Sequence, residues 1–271
     1  MNERPARGTV PINSAMAHPA RVYNAWLGGK DNYRVDQEAA ELAAAANPRI
    51  IQAVRANRAF LGRAVRELSA TAGIRQFLDI GTGIPAADNT HEVAQRADPG
   101  ARVVYVDNDP VVLAHAEALL VSTRDGATDY VQADLREVDH ILERAAGTLD
   151  FSQPVGLMLV AVLQYIPDAD DPFALTAALL DALPAGSHLV VSHPASDIAS
   201  EEVAKSMRVY NERAGEHAGA TPRTHERVTR FFRGTELLEP GVVGLPQWRP
   251  DAETVTDTDP LPMWCGVGRK P

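Results

Sequence analysis

The chain has 271 residues, with 26 Lys and Arg against 36 Asp and Glu, a formal charge of −10, eight His and one Cys. The missing basic excess argues against a protein that holds nucleic acid by its phosphates. A single cysteine excludes an internal disulfide and a thiolate zinc site, and the longest apolar run, residues 155–163, is about half of the ~18 residues a membrane span needs. The first twenty residues hold Arg4, Pro5, Arg7 and Pro11 but no apolar core of a secretory signal. The expectation is a soluble, cytoplasmic protein built on one α/β domain, with no membrane or nucleic-acid partner.

Residues 1–20 mix Pro, Asn, Arg and small side chains without periodicity and read as a flexible arm. Residues 21–72 read as a helical, lid-like extension. It opens on Arg21-Val22-Tyr23-Asn24-Ala25-Trp26-Leu27-Gly28-Gly29-Lys30-Asp31-Asn32-Tyr33, where a glycine pair interrupts any helix. Helices follow over residues 36–46, ending at Asn47-Pro48, and 49–71, with Ile50, Val54, Leu61, Val65 and Leu68 at helical spacing. From residue 73 onward, apolar runs at 76–80, 102–106, 129–132, 155–163 and 187–192 alternate with helical stretches at 87–97, 110–120, 136–146 and 172–183. Such alternation predicts right-handed crossovers and a Rossmann-like, doubly wound, mostly parallel sheet in a domain over residues 73–271. A long helix over 200–217 precedes a second, with Thr221 as N-cap and Pro222 at its first position. Strand-like pieces at 241–245 and 263–268 predict a C-terminal antiparallel hairpin, which brings the sheet to seven strands.

The sharpest chemical signal is Phe77-Leu78-Asp79-Ile80-Gly81-Thr82-Gly83-Ile84-Pro85-Ala86, an apolar strand that runs into Gly-x-Gly and then a helix. Gly81 suits the tight turn, Gly83 removes a Cβ that would block a ligand, and the helix start offers free N–H groups. The second strand ends in Asp107, placed either to accept ribose hydroxyls or to form an Asx turn or N-cap ahead of Pro110, and the third is followed by Asp134. A doubly wound sheet opens all three strand ends on one crevice, so Asp79, Asp107 and Asp134 cluster there. Gly81-x-Gly83-x-x-Ala86 also fits a relaxed NAD fingerprint, which keeps an NAD-dependent oxidoreductase as an alternative. Asp79, Pro85 and Asp134 are not demanded by a pyrophosphate; they suit a cofactor that carries an amino acid and an adenine, as S-adenosylmethionine does.

With these residues, the block 77–86 resembles the class I S-adenosylmethionine-dependent methyltransferases, and Leu183-Pro184-Ala185-Gly186 resembles their turn into strand five. A closer resemblance covers nearly the whole chain. Residues 21–32, Ala56-Asn57-Arg58-Ala59-Phe60-Leu61, Asn89-Thr90-His91-Glu92-Val93 and Trp248-Arg249-Pro250 are similar to a largely actinobacterial methyltransferase family long filed as a domain of unknown function. The resemblance implies that Gly81, Thr82 and Gly83 meet the methionine part of the cofactor and that Asp107 and Asn108 hold ribose and adenine. It also implies that Asp134 and Leu135 flank the adenine and that Ala161 and Val162 floor the crevice under the sulfonium. Pro85 departs from the generic pattern, which has a third glycine there.

Tyr23 and Gly29 are expected at the cofactor as parts of a hinged aromatic lid with Trp26 and Tyr33, or else these aromatics only dock the N-terminus. Asn57 falls on the apolar stripe of its helix, so it is either a satisfied core amide or a group reaching the cofactor crevice, with Arg58 as a possible carboxylate partner. Tyr165 and His193 follow strands four and five and are the candidate catalytic groups; His193 is either a general base or a turn residue. Arg223, Arg227, Arg230 and Arg233 make a solvated stripe or a grip for an anion. The leading reading is a methyltransferase that acts on a small O or N acceptor; a non-catalytic S-adenosylmethionine-binding protein is the other alternative.

Overall fold

The computed structural model describes residues 15–119, 121–214, 219–251 and 260–271. Eight strands form one sheet: β1 (Gln76–Ile80), β2 (Arg102–Asp107), β3 (Ala127–Gln132), β4 (Gly156–Val160), β5 (His188–Pro194), β6 (Glu236–Leu237), β7 (Val243–Gly244) and β8 (Met263–Arg269). Their order is β3-β2-β1-β4-β5-β8-β6, with the short β7 also on β8. Strands β1 to β5 run parallel and β8 returns antiparallel to β5. The expected hairpin is thus present as β7 with β8, and β6 is the strand that a two-residue pairing hid from the sequence. Every residue of β1 and β4 is buried, as continuous apolar strands covered on both faces should be.

Helices cover the two faces. On one side α3 (Ile50–Ala70) and α4 (Thr90–Ala97) pack against the sheet, with Trp248 edge-on to Phe60 at 5.4 Å between ring centres. The buried Arg63 donates to the Trp248 and Leu245 carbonyls at 2.9 and 2.7 Å, which ties this wall to α3. On the other side lie α6 (Val138–Ala145) and α7 (Pro172–Asp181), while α5 (Pro110–Leu119) follows β2. A smaller apolar cluster joins α1 (Pro19–Trp26) and α2 (Arg34–Ala46) to α8 (Ser200–Asn211), with Tyr165 packed against it.

Four boundaries differ from expectation for physical reasons. Residues 1–14 of the arm lie outside the described residues, but residues 15–20 are built in: Ala17 bridges to Ala214, and Pro19 starts α1, where its missing N–H costs nothing. Strand β4 stops at Val160 because Ala161 takes a left-handed φ of 54° and Leu163–Tyr165 curl into a 3₁₀ turn. The long helix ends at Asn211, and His217 lies outside the described residues. Thr221 is not an N-cap. Residues 221–223 belong to no helix, Arg223 bridges to Ala195, and the five-residue α9 (His225–Thr229) is capped by Thr224, whose side chain accepts from the Arg227 amide.

Candidate cofactor site

The strand order reverses between β1 and β4, and the carboxyl ends of the parallel strands open there on one crevice. It encloses 540 Å³, within the roughly 300–1,000 Å³ of small-molecule sites. Gly81 and Gly83 both adopt left-handed backbone, with φ 75° and 68°. Gly81 is demanded by the protein itself, since a Cβ there would meet Val162 Cγ2 at 2.3 Å. At Gly83 an added Cβ meets nothing within 4 Å, so this residue faces open crevice.

The three strand-end acids line this crevice and are oriented by local donors. Asp79 is buried, and its Oδ2 accepts from the Thr90 hydroxyl at 2.6 Å. Burial pushes its carboxyl up to about 6, partly offset by Thr90. Asp107 accepts from the Gly83 amide at 2.9 Å on Oδ2 and from the Asp109 amide at 3.0 Å on Oδ1, and burial raises its pKa against those bonds. Asp134 takes Arg136 Nη1 on both oxygens at 2.9 and 3.0 Å, and the exposed Asn108 donates to its Oδ2 at 3.3 Å. Partial burial works to raise the Asp134 pKa, but its bonds to Arg136 outweigh it and hold the group below the ordinary carboxylate range. Leu135 is a buried apolar wall beside it.

The helix after the glycines starts later than expected, at Thr90 rather than residue 87, so Pro85 does not open it. Several amides at its start are already paired. Glu92 Oε2 accepts from the Asn89 amide at 2.8 Å, Asn89 Oδ1 accepts from the Ala86 amide at 3.1 Å, and the His91 amide donates to the Tyr105 hydroxyl at 2.8 Å. A pyrophosphate therefore finds no free helix start beside Gly83, which removes the physical basis of the dinucleotide alternative. Two residues of the 89–93 block thus tie α4 to the sheet, Thr90 to β1 and His91 to β2, while Asn89 holds the preceding loop at Ala86.

The N-terminal segment roofs the crevice. Residues 16–21 line it, together with Tyr23. His18 Nδ1 pairs with Asp109 Oδ2 at 2.9 Å, and the His18 amide donates to Asp36 Oδ1 at 2.9 Å. Arg21 lies 3.5 Å from Asp36, with both side chains buried, and its guanidinium sits 5.1 Å above the Tyr33 ring. Asp36 also accepts from the Tyr33 amide and so caps α2. Of the expected lid aromatics only Tyr23 reaches the crevice; Trp26 donates to the Ala40 carbonyl at 3.0 Å. Gly29 does not line the crevice. It packs on Asn24, where a Cβ would strike the amide at 2.3 Å, and Asn24 Oδ1 accepts from the Asp31 amide and Asn32.

Asn57 answers both of its readings. Its Oδ1 accepts from Ser192 Oγ at 2.6 Å and its Nδ2 donates to the Tyr23 hydroxyl at 3.0 Å, while the residue also lines the crevice. Ala161 and Val162 line it at the end of β4, beside Tyr165. Burial pushes the Tyr165 phenol up to about 12, so it donates hydrogen bonds near neutral pH rather than taking protons. His193 does not line the crevice. It is fully buried against Arg223 Nη1 at 2.8 Å, and burial with the Arg223 charge lowers its pKa to about 3, which disqualifies it as a base. Arg223 itself leaves the expected stripe: it is 1% exposed and binds the Leu163 and Ile166 carbonyls and Asp168.

Three contributors escaped the sequence reading: His18 and Arg21 in the roof, and Arg136 beside Asp134. Only Pro19, a helix-start signal inside the supposed arm, marked the first two. Arg58 does line the crevice, held by the Ala87 and Asp88 carbonyls at 2.9 and 3.1 Å.

A parallel sheet that reverses order beside β1, with acids at three successive strand ends and no open anion site at the glycines, defines a Rossmann-like enzyme for a phosphate-free nucleoside cofactor. The chain belongs to the S-adenosyl methyltransferase family, whose model matches residues 5–271. It is an S-adenosylmethionine-dependent methyltransferase, with S-adenosylmethionine as cofactor. It is similar to a DUF574-family protein from Streptomyces avermitilis, at 42% identity and a TM-score of 0.92 over 96% of this chain and 100% of that one. A candidate methyltransferase from Thermobifida fusca is 39% identical, with a TM-score of 0.86 over 95% and 96% of the two chains. A plantazolicin methyltransferase solved with S-adenosylhomocysteine shares the fold alone, at 12% identity and a TM-score of 0.53 over 93% and 96%. No curated protein matches the chain. Among the described residues no helix is long and apolar enough to cross a membrane.

Proposed function

We propose that the enzyme methylates an oxygen or nitrogen of a small molecule. The observation that carries this reading is the concave crevice of 540 Å³, overhung by residues 16–21 and Tyr23 and lined also by Tyr165, which suits a small acceptor better than a broad surface. Bound S-adenosylmethionine would supply an electrophilic methyl carbon to the acceptor lone pair, with sulfur keeping the electron pair of the broken carbon–sulfur bond and the acceptor's proton leaving to solvent.

The chain's part is to bind, align and exclude water. Asp79 has one oxygen free of hydrogen bonds to side chains and suits the methionine ammonium, and the Arg58 guanidinium suits its carboxylate. Thr82 and Gly83 border that end. Asp107 keeps lone pairs for the ribose hydroxyls, since its amide contacts use only one on each oxygen. Asn108, Asp134 and Leu135 suit the adenine, and Ala161 with Val162 lies under the sulfur. With Tyr165 protonated, it orients the acceptor by donating a hydrogen bond, and positioning carries the rate.

S-adenosylhomocysteine release over a panel of small alcohols, phenols and amines tests this. Turnover with a member of the panel is the expected result. Cofactor binding with no release from any small acceptor, but release from a protein or nucleic acid, would overturn it.

A further inference from the structure

A second cavity of 60 Å³ lies behind Tyr23, Ala161 and Tyr165, which it shares as walls with the cofactor crevice. Its far side is made by α3, α8 and the segment before β8, through Ala53, Val203, Met207, Tyr210 and Pro262 among others. Two properties set it apart. Among the described residues its lining includes no Asp, Glu, Lys, Arg or His. Its lining also holds two buried polar atoms with no partner, Gln164 Oε1 and the Tyr210 hydroxyl.

Gln164 is 5% exposed and Tyr210 3%. The amide of Gln164 is fixed in direction, because its Nε2 donates to the Ala161 carbonyl at 2.7 Å and so Oε1 is left as an acceptor. The Tyr165 side chain approaches both groups and its contacts bear on the Tyr165 and Tyr210 phenols, yet among the described residues neither Gln164 Oε1 nor the Tyr210 hydroxyl completes a hydrogen bond of ordinary geometry. Leaving one such group unpaired costs roughly 1–3 kcal/mol, so two in one cavity point to a partner from outside the chain. The space, enough for a few water molecules, admits only the narrow end of a molecule whose body lies in the crevice.

We infer that this cavity is the recognition pocket for the methyl acceptor, and that the acceptor is an uncharged small molecule ending in a hydrogen-bond donor, an alcohol by preference. Gln164 Oε1 accepts from that end and the Tyr210 hydroxyl completes its pairing, while the acceptor body passes Tyr23 and Tyr165 to reach the cofactor. A carboxylate end would face Gln164 Oε1 and lose its hydration, and an ammonium end would be desolvated with no counter-charge. The inference rests on the methyltransferase reading of the neighbouring crevice and names the substrate class for it.

The test uses the full chain saturated with S-adenosylhomocysteine and four matched probes: benzyl alcohol, benzyl methyl ether, benzoate and benzylammonium. Dissociation constants come from ligand-detected NMR. Benzyl alcohol should bind about tenfold or more tightly than the other three, the loss expected when a buried acceptor goes unpaired. Tyr210→Phe should weaken benzyl alcohol several-fold without weakening S-adenosylhomocysteine, and should leave the free chain as stable or more so, since that hydroxyl has no internal partner. Ala53→Leu, which fills the cavity from α3, should abolish the preference for the alcohol. A cavity that holds only water would give no discrimination among the probes and no response to Tyr210→Phe, and that result overturns the inference. Failure of S-adenosylhomocysteine itself to bind would instead overturn the reading of the crevice, so the two failures are distinguishable.

Discussion

The floor and the roof of the crevice are built by different means. On the floor, Asp79, Asp107 and Asp134 stand at the ends of adjacent parallel strands and are oriented by the loops and helix that follow those strands: Thr90, the Gly83 and Asp109 amides, and Arg136. On the roof, His18 and Arg21 are held by Asp36 and Asp109, side chains from helix starts that the fold must first bring together. The floor is therefore preorganised by the sheet, whereas the roof depends on a few ionic latches. A roof of that kind can yield to let ligands pass while the floor stays in place.

Substitutions that separate the two regions sharpen this contrast. The largest effect on the cofactor is expected at Asp107, which holds the glycine loop and, in the proposed function, the ribose. Asp107→Ala should weaken S-adenosylmethionine by about a hundredfold, the worth of two hydrogen bonds to a charged group, as read by calorimetry. Asp36→Ala strikes the roof instead. Removing one member of a buried pair costs about 3–5 kcal/mol where the pair is held, so hydrogen exchange should accelerate over residues 19–46 and stay unchanged over 76–107. Acceleration in both regions alike would mean that roof and floor open together.

Asp79 gives a pH signature specific to the floor. Its empty-site pKa is raised to about 6 by burial, so the acid is ionised above that value and protonated below it. A cationic cofactor favours the ionised form. Affinity should therefore be full above pH 6 and fall by up to about tenfold per unit as pH drops through and below it. Asp79→Asn should flatten that profile; an unchanged slope would assign the titration to another group. The smallest effect is expected at Asp134, already neutralised by Arg136 and partly exposed. Asp134→Asn should cost about threefold in cofactor affinity, because an exposed charge contributes little and the amide oxygen still accepts.

The same contrast explains what was legible in the sequence. Strands β1 and β2, the Gly81 and Gly83 turn and the three acids follow from local patterns, and these place most of the floor. Residues 16–21 read as a loose arm because their partners, Asp36 and Asp109, are no nearer in pattern than any other acids. Arg223 read as a solvated helix residue, yet its carbonyl and carboxylate partners lie 55 to 60 residues away and draw it into the interior. Gly29 and His193 stand beside aromatics and a strand end in the sequence, yet Gly29 packs on Asn24 and His193 on Arg223. The side pocket needed α1, α3, the β4 end and α8 assembled before it existed at all.

The most direct test of the account is calorimetric titration of the full chain with S-adenosylmethionine and S-adenosylhomocysteine at pH 7.5, beside the Asp107→Ala variant and an NADH control. The expected result is one site per chain for both sulfur nucleosides, lost or much weakened in the variant, with no heat from NADH. Equal binding by the variant, or binding of NADH in place of the nucleosides, would contradict it.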